Sequence, residues 1–316
     1  MRKFFAYAAI YIIWGGSFLA IREVVSVVPP FFAAGFRFTI AGLILILWSR
    51  FSGPCELTAR QMLNAALLGL IMFACLYASL FWAETRIPSG VAAVVSALIP
   101  LWIYAGEVLL LRTQRATVLA VTGIVLGFIG VALLALRHRG HHAHARASVI
   151  AVLVAAAGTL CWSVGTLLSS RLRFPSPQRL NAGWQMYTGG FLLVLLSFAA
   201  GEFHRLPVLS VILSARVLVS MAYLILAASI MTYTSYVWLI AHDSPTRVSS
   251  YAYINPVIAL MLGASFLSER LTHWQILGAV LVIAGVLATL LGKKPPGSRD
   301  DDPRPQRKPI PGVVLR

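Results

Sequence analysis

Several polar and aromatic side chains in this sequence lie inside long apolar stretches, where they could form a binding site. Asn255 is an amide close to the phenols of Tyr251 and Tyr253 and directly before Pro256. Buried amides and hydroxyls need hydrogen-bond partners, which a neutral or zwitterionic small molecule can supply. Aromatic walls with a few polar groups are typical of small-molecule sites. Further aromatic candidates, which could instead form an interfacial belt, are Trp14, Trp82, Trp162, Tyr233 and Trp238.

Two prolines stand at matching depths in separate apolar stretches and predict kinked helices. Proline lacks a backbone donor and clashes with the preceding turn, so it frees carbonyl groups. In hydrocarbon those carbonyls need another partner, which favours a cavity or a neighbouring helix. Pro100 and Pro256 therefore either line a pathway or form packing kinks.

The ionisable groups placed within apolar stretches are Glu107 and Arg37. Such groups mark functional sites by default. Glu107 could bind a proton, or it could pair with a nearby arginine at the membrane surface. Arg37 could bind a substrate carboxylate, or its stem could reach the interface. Glu84 lies at the end of a stretch, where we expect solvation.

The chemistry of an enzyme or a metal site is not indicated. The histidines lie in loops or at the ends of apolar stretches, and no Walker motif, zincin motif or nucleophile elbow is present. The three cysteines suggest neither a disulfide framework nor a zinc site. The histidine-rich tract 137–146 could bind metal, but we expect a solvated linker. We therefore predict no catalytic residue, no metal site and no cofactor.

The composition determines what must position these side chains. Of 316 residues, 59% are hydrophobic and only 11% are charged, and the mean hydropathy is +0.83, which argues against a soluble domain. A membrane helix needs about 20 apolar residues. The stretches predict an all-α membrane protein with ten spans, at 4–21, 31–49, 63–83, 90–111, 117–136, 148–169, 184–200, 217–241, 248–267 and 274–291.

The net charge of +16 would suggest a nucleic-acid partner in a soluble protein, but here it reads as an orientation signal. With ten spans, 17 Lys and Arg residues lie on the side of the termini and 8 on the other side. Both termini are therefore predicted to be cytoplasmic, with no nucleic-acid partner. Much of the excess lies in the tail 293–316, which cannot bury enough apolar surface to fold alone.

Comparison of the sequence with itself shows that a pattern of five spans occurs twice. Trp14 recurs as Trp162 at an offset of 148, and Pro100 recurs as Pro256 at an offset of 156, together with several glycines at similar offsets. Because five is odd, the second copy enters the membrane from the opposite side. The predicted organisation is an inverted repeat, with the first copy at 1–136, a linker at 137–147, the second copy at 148–292 and the tail at 293–316.

Glycines in the fifth and tenth spans are interpreted as scaffold. Gly123 and Gly127 form a small-xxx-small face, with Gly130 one turn further, and Gly278 and Gly285 repeat part of it. Such faces let helix backbones approach closely. The contact could join the two halves or two copies of the chain, so a monomer and a homodimer both remain open.

Five strings of the sequence resemble a known family. They are WGGS at 14–17, AGFRF at 34–38, IPSGVAA at 87–93, SSYAYINPV at 249–257 and ERLT at 269–272. Together they resemble EamA-type members of the drug/metabolite transporter superfamily, above all the bacterial inner-membrane exporters. The resemblance implies a ten-helix transporter with cytoplasmic termini that moves small metabolites, often amino acids, out of the cell. One departure is Gln114 where the second copy has Glu269.

These observations predict a secondary transporter in the inner membrane, specifically an exporter of amino acids or related compounds that works by alternating access. Its partners would be the small-molecule substrate, the lipid bilayer and protons as a coupling ion. A membrane receptor or scaffold, and an intramembrane enzyme, are the alternatives.

Overall fold

The computed structural model describes residues 1–55, 57–136, 142–169, 171–243, 248, 251–267 and 272–293, and within these ranges there is no β-strand. The predicted all-α class is therefore confirmed. We number the main helices α1 to α10 in chain order. They are Arg2–Val25, Pro30–Phe51, Ala59–Glu84, Ser89–Leu111, Val118–Leu136, His142–Ser169, Gln178–Ala199, Ala215–Leu239, Tyr251–Phe266 and His273–Leu291.

Eight of these helices are long and apolar enough to cross a bilayer, and α5 and α9 carry the shorter apolar stretches Val118–Leu134 and Ile254–Phe266. Each predicted span coincides with a helix, with some shifted ends. Helix α7 begins at Gln178, and α6 begins at His142, within the predicted linker. Residues 137–141 of the histidine-rich tract and residues 294–316 of the tail lie outside the described residues.

The sequence encodes several helix ends through capping chemistry. Pro30 occupies the first turn of α2, where its missing N–H costs nothing. Thr58 and Gln61 form a capping box at the start of α3, and Thr272 and Gln275 form another at the start of α10. In each box a threonine hydroxyl and a glutamine side chain satisfy backbone N–H groups that the helix cannot.

Two antiparallel helix pairs, α2 with α7 and α5 with α10, have the most extensive contacts in the described structure. A Cβ atom on Gly42 would lie 2.4 Å from the Tyr187 backbone N, and one on Gly190 would lie 2.3 Å from the Thr39 backbone N. A Cβ atom on Gly123 would lie 2.5 Å from the Gly285 carbonyl oxygen. The glycines thus permit backbone contact, and the α5–α10 contact lies between the two halves of one chain.

A carboxylate from the segment after α7 also holds α2. Glu202 is buried, and its oxygens accept the backbone N–H groups of Phe31 at 3.3 Å and Phe32 at 2.8 Å. Ser197 donates its hydroxyl to the same carboxylate at 2.9 Å. Glu202 therefore satisfies donors in the first turn of α2, where negative charge is favourable.

The remaining helices form two bundles that each mix the two halves of the chain. Helix α6 packs against α3 and α4, and we call these three helices the first bundle. Helix α1 packs against α8 and α9, and we call these the second bundle. In the repeat, α3 and α4 of the first copy correspond to α8 and α9 of the second copy. Helix α1 takes the same place in the second bundle that α6 takes in the first. The contacts of one bundle therefore correspond to those of the other.

Candidate functional site

A cavity of about 70 Å³ lies between the two bundles. Small-molecule sites usually enclose about 300–1,000 Å³, so the space is small in this conformation. The first bundle contributes residues of α3, α4 and α6, and the second contributes residues of α1 and α9. The described lining residues include no charged side chain; they are Trp14, Ser17, Phe18, Ile21, Leu76, Tyr77, Leu80, Ala93, Ser96, Ala97, Ile99, Trp162, Tyr251, Ala252, Asn255 and Pro256.

The repeated tryptophans stand on opposite walls of this cavity. Trp14 packs edge-on against Tyr251, with ring centroids 5.2 Å apart, and its indole nitrogen donates to the Ala228 carbonyl oxygen at 3.0 Å. Trp162 packs against Tyr77 at 6.4 Å and is 4% exposed. Its indole N–H is buried and has no hydrogen-bond partner among the described residues. The two indoles are thus equivalent in sequence but not in hydrogen bonding.

The repeated prolines shape the walls on both sides. Helix α4 contains two α-helical segments, Ser89–Ser96 and Ile99–Gly106, and ends in a π-helical turn. A turn separates the two segments, and Pro100 lies in the first turn of the second one. Ser96 and Ala97 line the cavity at this break. Pro256 lies inside α9 and lines the cavity itself. Pro100 is buried but lies outside the lining set.

Asn255 ties α9 to an irregular turn of α1. Residues Ala9–Ile13 of α1 form a π-helical turn, a geometry that disturbs the regular backbone hydrogen bonds. The amide orientation that satisfies its surroundings lets the Asn255 nitrogen donate to the carbonyl oxygens of Ile10 at 3.1 Å and Tyr11 at 3.0 Å. Tyr223 donates its hydroxyl to the Ile13 carbonyl oxygen at 2.7 Å. Helices α8 and α9 therefore satisfy the carbonyls of this turn.

Arg37 is fully packed beside the cavity rather than on its wall. It is 1% exposed, its Nε donates to the Ser229 hydroxyl at 2.9 Å, and its guanidinium carbon lies 5.3 Å from the Tyr77 ring centroid. The matching pair in the second half is Gln185 and Tyr233, where the phenol donates to the amide oxygen at 3.2 Å. Tyr233 is buried and lies outside the lining set.

Three other predicted candidates lie away from this cavity. Glu107 forms an ion pair with Lys293, with Oε2 and Nζ 3.1 Å apart. Trp82 stacks under Arg86, whose guanidinium carbon lies 3.8 Å from the ring centroid, and partial burial lowers the pKa of Arg86. Trp238 stacks on the His242 ring at 4.3 Å.

The predicted site and the observed cavity overlap in part. Trp14, Trp162, Tyr251, Asn255 and Pro256 come together around the cavity. The side chain of Tyr253 lies outside the described residues. Sequence reasoning missed the lining hydroxyl-bearing residues Ser17, Tyr77 and Ser96, and of these only Tyr77 carried a signal, because Tyr233 repeats it 156 residues later.

Among the charged residues, the burial of Glu84 differs most from the sequence-based prediction. It ends α3 and is 0% exposed, whereas its place at the end of an apolar stretch indicated solvation. Arg22, from the last turn of α1, donates to its backbone carbonyl oxygen. The arginine of one helix thus covers the end of another. The described residues contain no group of three or more His, Cys, Asp or Glu side chains placed to hold a metal ion.

Comparison with known proteins identifies relatives over nearly the whole chain. The sequence model of the EamA-like transporter family matches twice, at residues 3–136 and 149–291. The inner membrane transporter YedA of Escherichia coli K12, whose printed name calls it uncharacterized, is 36% identical over 292 residues, covering 91% of this chain and 90% of its own. The protein PecM of Dickeya dadantii is 26% identical, with coverages of 87% and 88%.

One solved structure also has this fold. The crystal structure of a protein superposes with a TM-score of 0.62 and 20% sequence identity, covering 92% of this chain and 97% of its own. At that identity the likeness concerns the fold alone.

Proposed function

We propose, because the chain belongs to the EamA-like transporter family, that it is a secondary transporter that exports small metabolites across the inner membrane by alternating access. The chain is a membrane transporter of the drug/metabolite type, as its relatives are. The observation that carries the finer proposal is the cavity between two bundles that each take helices from both halves of the chain.

An inverted repeat of five plus five spans supports alternating access. The family matches twice along the chain, and the α2–α7 and α5–α10 pairs are antiparallel, as inverted copies require. In such proteins one bundle rocks against the other around a central site. We propose that α2 with α7 and α5 with α10 serve as the frame, while the first and second bundles move.

The described contacts support a cavity closed at one end. Helix α1 packs against both α3 and α4, across the interface between the bundles. The corresponding contacts of α6 with α8 and α9 are sparse within the described residues. The cavity is therefore tighter at the end where α1 terminates. With cytoplasmic termini, as the excess of basic residues suggests, this is the external end, and the conformation faces the cytoplasm.

The lining suggests the class of substrate. Indole and phenol rings supply apolar walls, and the Ser17, Ser96 and Asn255 side chains supply polar groups, without a charged side chain among the described lining residues. An ion that carries a net charge would lose its hydration without a counter-charge on the wall. We therefore propose that the substrate is neutral or zwitterionic, such as an amino acid or a related compound.

Proton coupling, which we also propose, needs a carboxylate that changes its protonation during the cycle. Glu107, the predicted carrier, is paired with Lys293 away from the cavity. Glu84 is fully buried near the closed end. A pH gradient that increases export in vesicles would support this coupling.

The test is flux in proteoliposomes. We expect uptake or release of at least one radiolabelled compound from a panel of amino acids and nucleobases, and failure of the entire panel with and without a proton gradient would refute the proposal.

Trp162→Phe tests the site itself. The change removes an indole N–H that has no partner among the described residues, so the protein loses ring volume but no internal hydrogen bond and should lose less stability than Trp14→Phe. If the substrate accepts that hydrogen bond, KM rises about two- to tenfold, the range for one hydrogen bond. Trp14→Phe is the matched control, because it deletes a bond to the Ala228 carbonyl oxygen and should lower stability. An unchanged KM in Trp162→Phe would remove this N–H from the site.

A further inference from the structure

We propose that Arg22 is a gate residue that holds the two bundles together at the end of the cavity away from the chain's N-terminus. The proposal rests on the function proposed above and adds the contact that must break when the cavity opens at this end. Arg22 lies in the last turn of α1, in the second bundle, and Glu84 ends α3, in the first bundle. The guanidinium Nη1 donates to the Glu84 carbonyl oxygen, so this bond crosses the interface.

The chemistry of a helix end makes this bond effective. The last four carbonyl groups of a helix lack an intrahelical donor, and the helix dipole places partial negative charge there. An arginine that reaches the last carbonyl supplies a charge-assisted hydrogen bond. Arg22 thus caps a helix of the opposite bundle, and the cap is lost when the bundles separate.

The bond lies directly beyond the cavity. Leu76, Leu80 and Glu84 follow one stripe of α3 at intervals of four residues, and the first two line the cavity. On α1, Phe18 lines the cavity and Arg22 stands one turn further. The pair therefore occupies the next layer on both helices.

Apolar packing closes the same end from the remaining directions. Val24 and Ile87 are both 0% exposed. A Cβ atom on Gly90 of α4 would lie 2.4 Å from the Leu260 Cδ2 atom of α9, a second close approach between the bundles. The Arg22 bond is partly buried beside this packing, where a hydrogen bond is stronger than in water.

The gate belongs to one end of the pathway. The positions that repeat Arg22 and Glu84 in the second half, at offsets of 148 and 156, are Ser170 and Ile240, which carry no charge. The opposite end must close by other contacts, so a change at Arg22 should affect access from one side only.

The labelling rate of a cysteine in the cavity measures how often the gate opens. The native Cys55, Cys75 and Cys161 are replaced by serine, and Ser96→Cys supplies a thiol on the cavity wall. A membrane-impermeant maleimide is applied to vesicles of each orientation. We expect Arg22→Ala to raise the labelling rate from the side of the α1–α2 connection about tenfold, which corresponds to about 1.4 kcal/mol in the opening equilibrium. Arg22→Lys should give an intermediate rate.

Arg86→Ala is the matched control. Arg86 lies near the same end, but its guanidinium donates to the Trp82 carbonyl oxygen and to Thr85, within its own segment. Its loss should leave labelling within about twofold of the parent, less than the effect of one hydrogen bond. Equal labelling of Arg22→Ala and the parent, or an equal rise in Arg86→Ala, would overturn the gate.

A second variant covers the case in which Arg22→Ala does not fold. Arg22→Lys keeps a cation that can still reach the Glu84 carbonyl oxygen, and its labelling rate from this side should exceed that of the parent; a rate equal to that of the parent would contradict the gate. Flux measured in the same vesicles tests the transporter proposal separately. Altered labelling without any flux would refute transport and keep the gate, whereas flux with unaltered labelling would do the reverse.

Discussion

Asn255→Ala is expected to destabilise the protein far more than the removal of one side-chain amide ordinarily does. Asn255 is 6% exposed and donates to the Ile10 and Tyr11 carbonyl oxygens in the π-helical turn of α1. Alanine deletes both donors and leaves the two carbonyl oxygens without this partner. Because a buried acceptor left without a partner costs about 1–3 kcal/mol, two of them cost about 2–4 kcal/mol after partial relaxation.

The assay is thermal unfolding of the purified protein in detergent. A loss of 1 kcal/mol lowers Tm by roughly 2 °C in a chain of this size, so Tm should fall by about 4–8 °C. Asn64→Ala is the control, because the hydrogen bond of 2.8 Å that Asn64 donates to the Arg173 carbonyl oxygen is exposed. Water can replace that bond, and Tm should change by less than about 2 °C.

Asn255→Asp separates donation from packing. Aspartate has nearly the shape of asparagine, but when ionised it only accepts hydrogen bonds. It would therefore face the Ile10 and Tyr11 carbonyls with further acceptors, and Tm should fall at least as far as in Asn255→Ala. If Asn255→Asp kept the parental Tm, or if Asn64→Ala and Asn255→Ala lost equal stability, the assignment of Asn255 as a donor to α1 would be refuted.

Two further substitutions test carboxylates outside the cavity. Glu202→Gln keeps the shape of the group that accepts from Phe31 and Phe32 but removes its charge and replaces one accepting oxygen by a donor. The lost charge and the lost acceptor together cost about 1.5–3 kcal/mol, so Tm should fall by about 3–6 °C; an unchanged Tm would contradict this role. Glu107→Gln should preserve the pH dependence of flux, because Glu107 is held by Lys293 away from the cavity; loss of that dependence would identify Glu107 as the proton carrier.

The repeat indicates part of the cavity lining, although Pro100, which also repeats, lies outside it. Trp14 and Trp162 were singled out because they match at a fixed offset, and both line the cavity. Asn255 and Pro256 were singled out as polar and helix-distorting residues deep in an apolar stretch, and they line it too. Depth and symmetry are properties of the chain itself, which explains why they could be deduced before the helices were placed.

Contacts between helices distant in sequence could not be deduced in this way. Glu84 and Trp82 both stand near the end of α3, and only tertiary packing decides which one is covered. Arg22 reaches Glu84 from α1, whereas Trp82 stays at the edge under Arg86. Arg37 is similar, because its burial depends on Ser229 from α8. A periodic pattern identifies the buried face of one helix, but it does not identify which helix packs against that face.

The exchange of α1 and α6 between the bundles determines how the chain connects the two bundles. If each half formed its own bundle, the cavity would separate two halves joined by one linker. Instead, α6 packs with α3 and α4, while α1 packs with α8 and α9. Each bundle is therefore connected to the other by the chain at two points, through α2, which follows α1, and through α7, which follows α6. In the alternating access proposed above, such connections restrict separation of the bundles, and the motion is rocking about the glycine-packed α2–α7 and α5–α10 pairs. A contact at one end of α1, such as that of Arg22 with Glu84, then biases the whole second bundle relative to the first.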